Sequence, residues 1–118
     1  MDERLEKLIS TYLPMSEQSF LLLLCLLTPA HGYKIMQTIG EKSNGRILMG
    51  PSTVYTLLYK MEQDGLIKVS KEVERRKVYE ITDFGLGVLL AENSRLKALV
   101  EVSDQLLAKE KNSDKVGV

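Results

Sequence analysis

Cysteine and histidine each occur only once in this 118-residue sequence. The single Cys25 excludes an internal disulfide and favours a reducing compartment. A metal site needs several ligands, and the single His31 with one cysteine inside an apolar run does not supply them. We therefore expect no metal site. We interpret Cys25 as a core residue, with redox sensing as the alternative. We interpret His31 as a hydrogen-bonding residue at a turn or helix start, with a phosphate contact as the alternative.

Long hydrophobic runs are absent as well. The apolar run FLLLLCLL, residues 20–27, has eight residues, whereas a helix needs about 20 to cross a bilayer. Met1 is followed by charged residues instead of a hydrophobic segment, so a secretory signal peptide is not expected. These two absences favour a cytoplasmic protein without a membrane partner.

The sequence shows neither an excess of one charge nor a catalytic motif. Its 16 basic and 16 acidic residues cancel, so the net charge does not indicate a polyanionic partner. It contains no glycine-rich phosphate loop, no nucleophile elbow and no evident pair of catalytic carboxylates. We therefore expect a protein that is not an enzyme and uses no cofactor. Its length favours a single domain.

The spacing of apolar residues predicts a helical first half of the chain. We expect three helices there, over residues 1–13, over residues 16–28 and through Ile39. The first should end before Pro14, and Ser16 should cap the second. The second helix is apolar on nearly every side, which is typical of a central core helix. Residues 46–50 are interpreted as a connector or as a strand of two or three residues.

The segment GPSTVYTLLYKMEQDGLI, residues 50–67, predicts a helix with two different faces. Pro51 suits the first helical position, and Gly65 suits the left-handed residue that ends a helix. One face carries apolar residues at core spacing, namely Val54, Leu57, Leu58 and Met61. The other carries hydroxyl, phenol and amide groups instead of the usual surface charges, namely Ser52, Tyr55, Thr56, Tyr59 and Gln63.

After this helix the apolar pattern changes from helical to alternating. The segment LIKVSKEVERRKVYEIT, residues 66–82, predicts a β-hairpin with its tip at residues 73–75. Thr82 should then cap a last helix over residues 83–110. We divide the chain into one domain with an N-terminal helix at residues 1–82, a long C-terminal helix at 83–112 and a disordered tail at 113–118.

The last helix is interpreted as a dimer element. It is too long and too apolar along one side to be covered by so small a domain, so we expect it to pack against a second copy. Asn93 at a core-type position would then set the register. The alternative is that the helix folds back on its own domain. The residues expected at the dimer contact are Leu5, Leu8, Ile9, Tyr12, Leu86, Leu89, Leu90, Asn93, Leu96, Leu99, Val100 and Leu107.

This order of elements describes a mainly α fold with a small β-wing, a winged helix-turn-helix followed by a long C-terminal dimerisation helix. In such a fold the third helix of the trihelical core lies in the major groove, so it needs an apolar side and a side that contacts DNA. The polar face of the helix in residues 50–67 and the basic hairpin tip meet that need. The candidate DNA-binding residues are Ser52, Thr53, Tyr55, Thr56, Tyr59, Lys60, Lys71, Arg75, Arg76 and Lys77.

Three segments together resemble the PadR family of bacterial transcriptional regulators. HGYKIM at residues 31–36 is similar to the start of the family's second core helix. GPSTVYTLLYKMEQDGLI at 50–67 is similar to its recognition helix, and RRKVYEITDFG at 75–85 to its wing and last helix. The resemblance implies a homodimer, a repressor role and DNA contact through these segments, which adds His31 and Tyr33 to the candidates.

The sequence departs from the family pattern in two ways. Glu72 and Glu74 lie beside the basic residues of the wing, which weakens its expected reach along DNA. The chain also resembles the short branch of the family, in which some members line a drug-binding pore with tryptophan. This chain has no tryptophan, so a planar multidrug ligand is not implied.

Two functional hypotheses follow from these patterns. The first is a homodimeric repressor that binds a pseudo-palindromic operator on double-stranded DNA through helices about 34 Å apart. A dimer of long apolar helices can also hold a cavity at the joint, where a small hydrophobic effector would fit. The second is a protein–protein interaction module that keeps the winged fold but uses the tyrosine face and the long helix to bind protein partners.

Overall fold

The computed structural model describes residues 2–112, which form five helices and one two-stranded antiparallel sheet. In chain order the elements are α1 (Glu3–Tyr12), α2 (Glu17–Cys25), α3 (Gly32–Lys42), α4 (Pro51–Gln63), β1 (Ile67–Val73), β2 (Arg76–Ile81) and α5 (Asp83–Asn112). This order confirms the predicted mainly α fold with a β-wing. Residues 46–50 form a connector without a strand. The tail predicted to be disordered, residues 113–118, lies outside the described residues.

The start of α2 agrees with the sequence pattern, but its end comes earlier than expected. Ser16 caps the helix, since its side-chain oxygen accepts the Ser19 N–H at 3.1 Å. The helix ends at Cys25 and not at Thr28. The reason is that the Leu26 and Leu27 N–H groups bond to carbonyls three residues back, a tighter turn that closes the helix.

The core forms around α2, as its apolar sequence predicts. Leu22, Leu23 and Leu26 are fully buried. The other helices of the trihelical core and the start of the hairpin each contribute buried side chains to the same cluster, namely Ile35, Ile39, Val54, Leu58, Met61, Leu66 and Ile67. Burying side chains of this size stabilises the fold by about 1.5–3 kcal/mol each before entropy is counted. The position of α4 is therefore fixed by its apolar side.

The first turns of α5 belong to the core of their own subunit. Val88 is fully buried, and Leu89 is only 4% exposed. The assignment of Leu89 to a dimer contact is therefore wrong, because its side chain already packs inside the domain. Sequence periodicity placed Leu89 on the apolar stripe of α5, but it does not show which turns of that stripe the domain itself covers.

The start of α5 is held tightly against the end of α4. Thr82 Oγ1 donates to the Gly65 carbonyl at 2.6 Å and accepts the Gly85 N–H at 3.1 Å. The Thr82 N–H donates to the Leu66 carbonyl at 3.0 Å. A Cβ atom at Gly85 would overlap that same carbonyl oxygen. Glycine is therefore required at this crossing, where α5 passes the junction between α4 and β1.

Glu92 ties the segment before α2 to α5. Its carboxylate is buried, with Oε2 accepting the Met15 N–H at 2.6 Å and an N–H of Arg95 at 3.1 Å. The hydrogen bonds from Arg95 hold the pKa of Glu92 below its usual range despite the burial. The group is therefore charged at neutral pH, and it is satisfied by partners on both sides.

The close crossing at Gly85 predicts that an added methyl group destabilises the fold there but not at a control glycine. Gly85→Ala should lower the free energy of unfolding by about 2 kcal/mol, because the backbone of α5 must move away from Leu66. Gly40→Ala in α3 is the matched control, since the nearest atom to its Cβ would be Leu48 Cδ2 at 3.7 Å. That change should raise stability by roughly 0.5–1 kcal/mol through helix propensity. Urea unfolding measures both, and equal effects at the two sites would contradict the tight crossing.

Candidate nucleic-acid interface

The two faces of α4 point to opposite environments in the structure. Val54, Leu58 and Met61 are buried against the rest of the core. On the opposite side Tyr55 is 47% exposed and Tyr59 is 67% exposed. The hydroxyl residues of the same side are also exposed, namely Ser52, Thr53 and Thr56. The side with phenol and hydroxyl groups is thus open for contact with another molecule.

Tyr55 rests on the first residue of α3. A Cβ atom at Gly32 would lie 2.7 Å from both Cζ and Oη of the Tyr55 ring, so a larger residue there would displace the ring from this position. Gly32 thereby positions a candidate DNA-binding side chain. Sequence reasoning missed this role, because Gly32 and Tyr55 are far apart in the chain and no local pattern links them.

The wing is fixed to the trihelical core just before α3. Ala30 and Tyr79 exchange two backbone hydrogen bonds of 2.9 Å, which pair the turn before α3 with β2. His31 Nδ1 lies 3.1 Å from the Lys77 carbonyl oxygen on the same strand. His31 makes no side-chain cap for α3. These contacts hold the basic end of the hairpin beside the start of α3.

An open cavity of about 660 Å³ lies where the starts of α3 and α4 meet the wing. Half of the candidate DNA-binding residues line it, namely His31, Tyr33, Tyr55, Arg75, Arg76 and Lys77. Met36, Pro51 and Tyr79 form the rest of the wall. Cationic and phenolic donors around one cavity suit a phosphate group, since these side chains donate hydrogen bonds and neutralise its charge.

The tip of the hairpin has an unusual backbone for its residue types. Glu74 and Arg75 form the turn and have φ angles of 51° and 66°. Positive φ at both central residues is the pattern of a type I′ turn, which Asn-Gly fills most easily. For a residue with a Cβ this conformation costs about 1 kcal/mol or more. The chain thus holds an arginine in an exposed turn with a strained backbone.

Glu72 and Lys71, on the way to this tip, are also exposed. Glu72 lies opposite Lys77 in the β-ladder. Such cross-strand pairs of opposite charge attract one another. Glu72 therefore faces Lys77, one of the four basic residues of the wing, while Glu74 shares the turn with Arg75. Lys71 is exposed on β1, outside the cavity.

Lys60 lies on a different side of α4 from the tyrosines. Its Nζ is 3.8 Å from Asp64 and 5.7 Å from the ring centroid of Tyr12 in α1. The structure therefore places this candidate at the junction of α4 with α1, away from the cavity beside the wing.

The predicted dimer residues fall into two groups. On α5, Leu90, Leu99, Val100 and Leu107 are more than half exposed, and Leu86 is 37% exposed. Asn93 is also exposed, and Leu96 is half-buried. On α1, the four apolar residues pack against the core of their own subunit, namely Leu5, Leu8, Ile9 and Tyr12. The exposed set on α5 also includes Val102 and Leu106, which were not among the predicted contact residues.

Two other kinds of site are absent from the described part of the chain. Among residues 2–112, no helix is long and apolar enough to cross a membrane. Within the same residues there is no group of three or more His, Cys, Asp or Glu side chains placed to hold a metal ion.

The chain is similar to known proteins both in sequence and in structure. The sequence profile of the transcriptional regulator PadR-like family matches residues 21–90, which is more than half of the chain. No curated protein matches the sequence.

Solved structures of several bacterial regulators are similar to this chain. A PadR family transcriptional regulator from Eggerthella lenta is 27% identical, with a TM-score of 0.65, and the match covers 86% of this chain and 87% of that one. A PadR-like transcription factor from Bacteroides fragilis is 26% identical, with a TM-score of 0.64 and coverage of 75% and 87%. A transcriptional regulator from Clostridium thermocellum shares the fold at 20% identity, with a TM-score of 0.66 and coverage of 89% and 96%. From the profile match, together with a winged helix-turn-helix that leaves its polar helix face exposed, we conclude that the chain belongs to the PadR-like family of transcriptional regulators.

Proposed function

We propose that the protein is a homodimeric repressor that binds a pseudo-palindromic operator. Each subunit would place α4 in the major groove and its wing along the flanking backbone. One observation carries the proposal: the side of α4 with Tyr55 and Tyr59 is exposed beside a cavity lined by basic wing residues. An exposed side of phenol and hydroxyl groups beside Arg75, Arg76 and Lys77 favours contact with a polyanion.

The polar side of α4 offers two kinds of contact. Ser52 and Thr53 lie in the first turn, where hydroxyl donors and the helix dipole both favour a phosphate. Tyr55, Thr56 and Tyr59 follow in the next two turns, within reach of base edges in a groove. These residues supply both the positioning and the reading contacts that a sequence-specific protein needs.

The salt dependence of binding should be moderate. Residues 50–80 carry six basic and five acidic side chains, so the positive charge is local and lies mainly in Arg75, Arg76 and Lys77. Each neutralised phosphate contributes a slope of about −0.9 to log K against log salt. We therefore expect a few phosphate contacts in each subunit.

Dimerisation through α5 is supported by its uncovered second half. The helix has 30 residues, and residues 97–110 are all exposed in the single subunit. Five large apolar residues lie on this stretch, namely Leu99, Val100, Val102, Leu106 and Leu107. Monomeric proteins rarely leave a continuous apolar strip of this kind in water. A second copy would cover it and would bring two α4 helices onto one face of DNA.

A small hydrophobic effector is part of the proposal. A cavity of about 450 Å³ lies between α2 and α5, with Met15, Phe20, Leu21 and Leu96 among its walls. This volume is within the range of small-molecule sites. Glu17, also on the wall, pairs with Arg46 in the connector before α4. Occupation of the cavity would therefore act on residues next to the recognition helix.

DNA selection tests the proposed function. Wild-type protein should enrich a pseudo-palindrome from random duplexes, with half-site centres about 10 base pairs apart. On that duplex Tyr55→Ala should lower affinity about tenfold, because it removes one base or phosphate contact. The dimer should persist, and the melting temperature should shift by no more than about 5 °C. Thr11→Ala, an exposed change on α1, is the control and should leave affinity unchanged.

Two outcomes would contradict this proposal. Binding that is indifferent to both salt and sequence would favour the protein–protein interaction module instead. Unfolding of the Tyr55→Ala protein would place that tyrosine in the core and remove the exposed face. The predicted cytoplasmic location stays a prediction.

The strained turn of the wing predicts that Arg75→Gly changes stability and DNA affinity in opposite directions. Arg75→Gly should raise the free energy of unfolding by up to about 1 kcal/mol by relieving the positive φ. It should also weaken DNA binding and reduce the salt slope by about 0.9 for each phosphate that is no longer neutralised. Glu74→Gly is the matched control, since it relieves a similar φ but removes an acid. Its stability should rise while its affinity for DNA is kept, and equal DNA affinities for the two variants would show that Arg75 does not contact the backbone.

A further inference from the structure

The C-terminal end of α4 is held by a side chain from α1. Tyr12 Oη donates to Asp64 Oδ2 at 2.5 Å across 52 positions of sequence. Burial and the neighbouring carboxylate raise the pKa of Tyr12 far above its usual value, so the phenol stays protonated and keeps its donor. The Lys60–Asp64 pair beside it is exposed and spans 3.8 Å, so it adds little stability by itself. The specific part of this junction is the Tyr12–Asp64 hydrogen bond.

A second side chain from α1 closes the same end. The Arg4 guanidinium lies 4.5 Å from the ring centroid of Phe84, the second residue of α5. It also lies against Gly65, where a Cβ atom would be 2.5 Å from Nη2. A cation at this place is favourable, because the last carbonyls of a helix carry partial negative charge. Arg4 therefore joins α1, the end of α4 and the start of α5.

The two ends of α4 are held very differently. At the C-terminal end, Asp64 and Gly65 contact α1, while Gly65 and Leu66 contact the start of α5 through Thr82. At the N-terminal end, a Cβ atom at Gly50 would meet nothing within 4 Å, and Ser52 and Thr53 are exposed. The C-terminal end is thus held by hydrogen bonds to α1 and to the start of α5, whereas the N-terminal turns are held by the packing of Val54 in the core and of Tyr55 against Gly32.

α4 therefore depends for its tilt on these C-terminal hydrogen bonds as well as on core packing. Its 13 residues span about 20 Å at a rise of 1.5 Å per residue. A tilt of about 10° at the C-terminal end would move the far end by about 3 Å, close to the 3.4 Å step between base pairs. A small change in the contacts at the C-terminal end of α4 would therefore change the distance between the two α4 helices of a dimer by about one base-pair step.

We propose that Tyr12 and Asp64 are positioning residues that couple α4 to the dimer elements and so set which half-site spacing the protein accepts. This inference rests on the proposed dimeric DNA binding. Tyr12 does not touch DNA in this account. It acts through Asp64 on the angle of α4. Its removal should therefore weaken the preference for one half-site spacing more than it lowers the affinity for a single half-site.

The test uses full-length protein and the operator that the wild-type protein selects, together with duplexes whose half-sites are one base pair closer or farther. Fluorescence anisotropy measures the affinity for each duplex. The ratio of the affinity for the selected spacing to the affinity for a shifted spacing is the readout, because a uniform effect of charge on affinity cancels in it. Tyr12→Phe keeps the ring and removes only the hydroxyl. It should lower the ratio of affinity for the selected spacing to affinity for the shifted spacings about threefold to tenfold. This is less than the change of more than about tenfold that a whole hydrogen bond to a charged group is worth, because only part of that energy acts on the angle of α4. Ser10→Ala is the control, since that hydroxyl bonds only to Lys7 of its own helix.

Asp64→Ala and the double variant Tyr12→Phe/Asp64→Ala test whether the two residues act as a pair. Asp64→Ala should relax spacing as Tyr12→Phe does, and the double variant should add nothing further, because both remove the same interaction. An unchanged spacing ratio in Tyr12→Phe would overturn the inference, as would a monomeric Tyr12→Phe protein in sedimentation, since the residue would then act at the dimer contact. If wild-type protein itself shows no spacing preference, the proposed function fails instead, and the inference fails with it.

Discussion

The burial of the apolar side of α4 in the common core of the domain determines which face of this helix is available. Leu58 and Met61 are buried in the same cluster as the α2 leucines, so the helix cannot rotate about its axis without exposing them. Moving even one such side chain into water would cost about 1.5–3 kcal/mol. Tyr55 and Tyr59 are exposed as a direct consequence. The proposed DNA-binding surface is therefore the side of α4 that the core leaves exposed.

Neighbouring elements then complete this surface through contacts that are distant in sequence. Gly32 makes room for the Tyr55 ring, and the Ala30–Tyr79 backbone pair brings the basic wing to the start of α3. At the other end of α4, α1 and α5 meet at Gly65. Both ends of α4 are thus held, the first turns by packing and the last turn by hydrogen bonds, while its polar face stays exposed.

The sequence was informative wherever local periodicity or turn chemistry decides the structure. The two faces of α4, the hairpin with its turn at Glu74 and Arg75, and the cap at Thr82 all follow from patterns within a few residues. The sequence did not show that the domain itself buries Leu89, or that Lys60 faces α1. Those placements depend on tertiary packing between distant segments, which residue spacing does not encode. The profile match and the similar structures supply the family, while the operator contacts and the dimer rest on proposals.

The most direct test of the account is methylation interference on the selected duplex. Guanine N7 lies in the major groove, so its methylation blocks a helix that reads that groove. The account predicts interference in two patches about one helical turn apart, one for each α4. The patches should weaken in the Tyr55→Ala protein. Binding that tolerates N7 methylation at every position would show that α4 does not lie in the major groove, and the exposed phenolic face would then need another explanation.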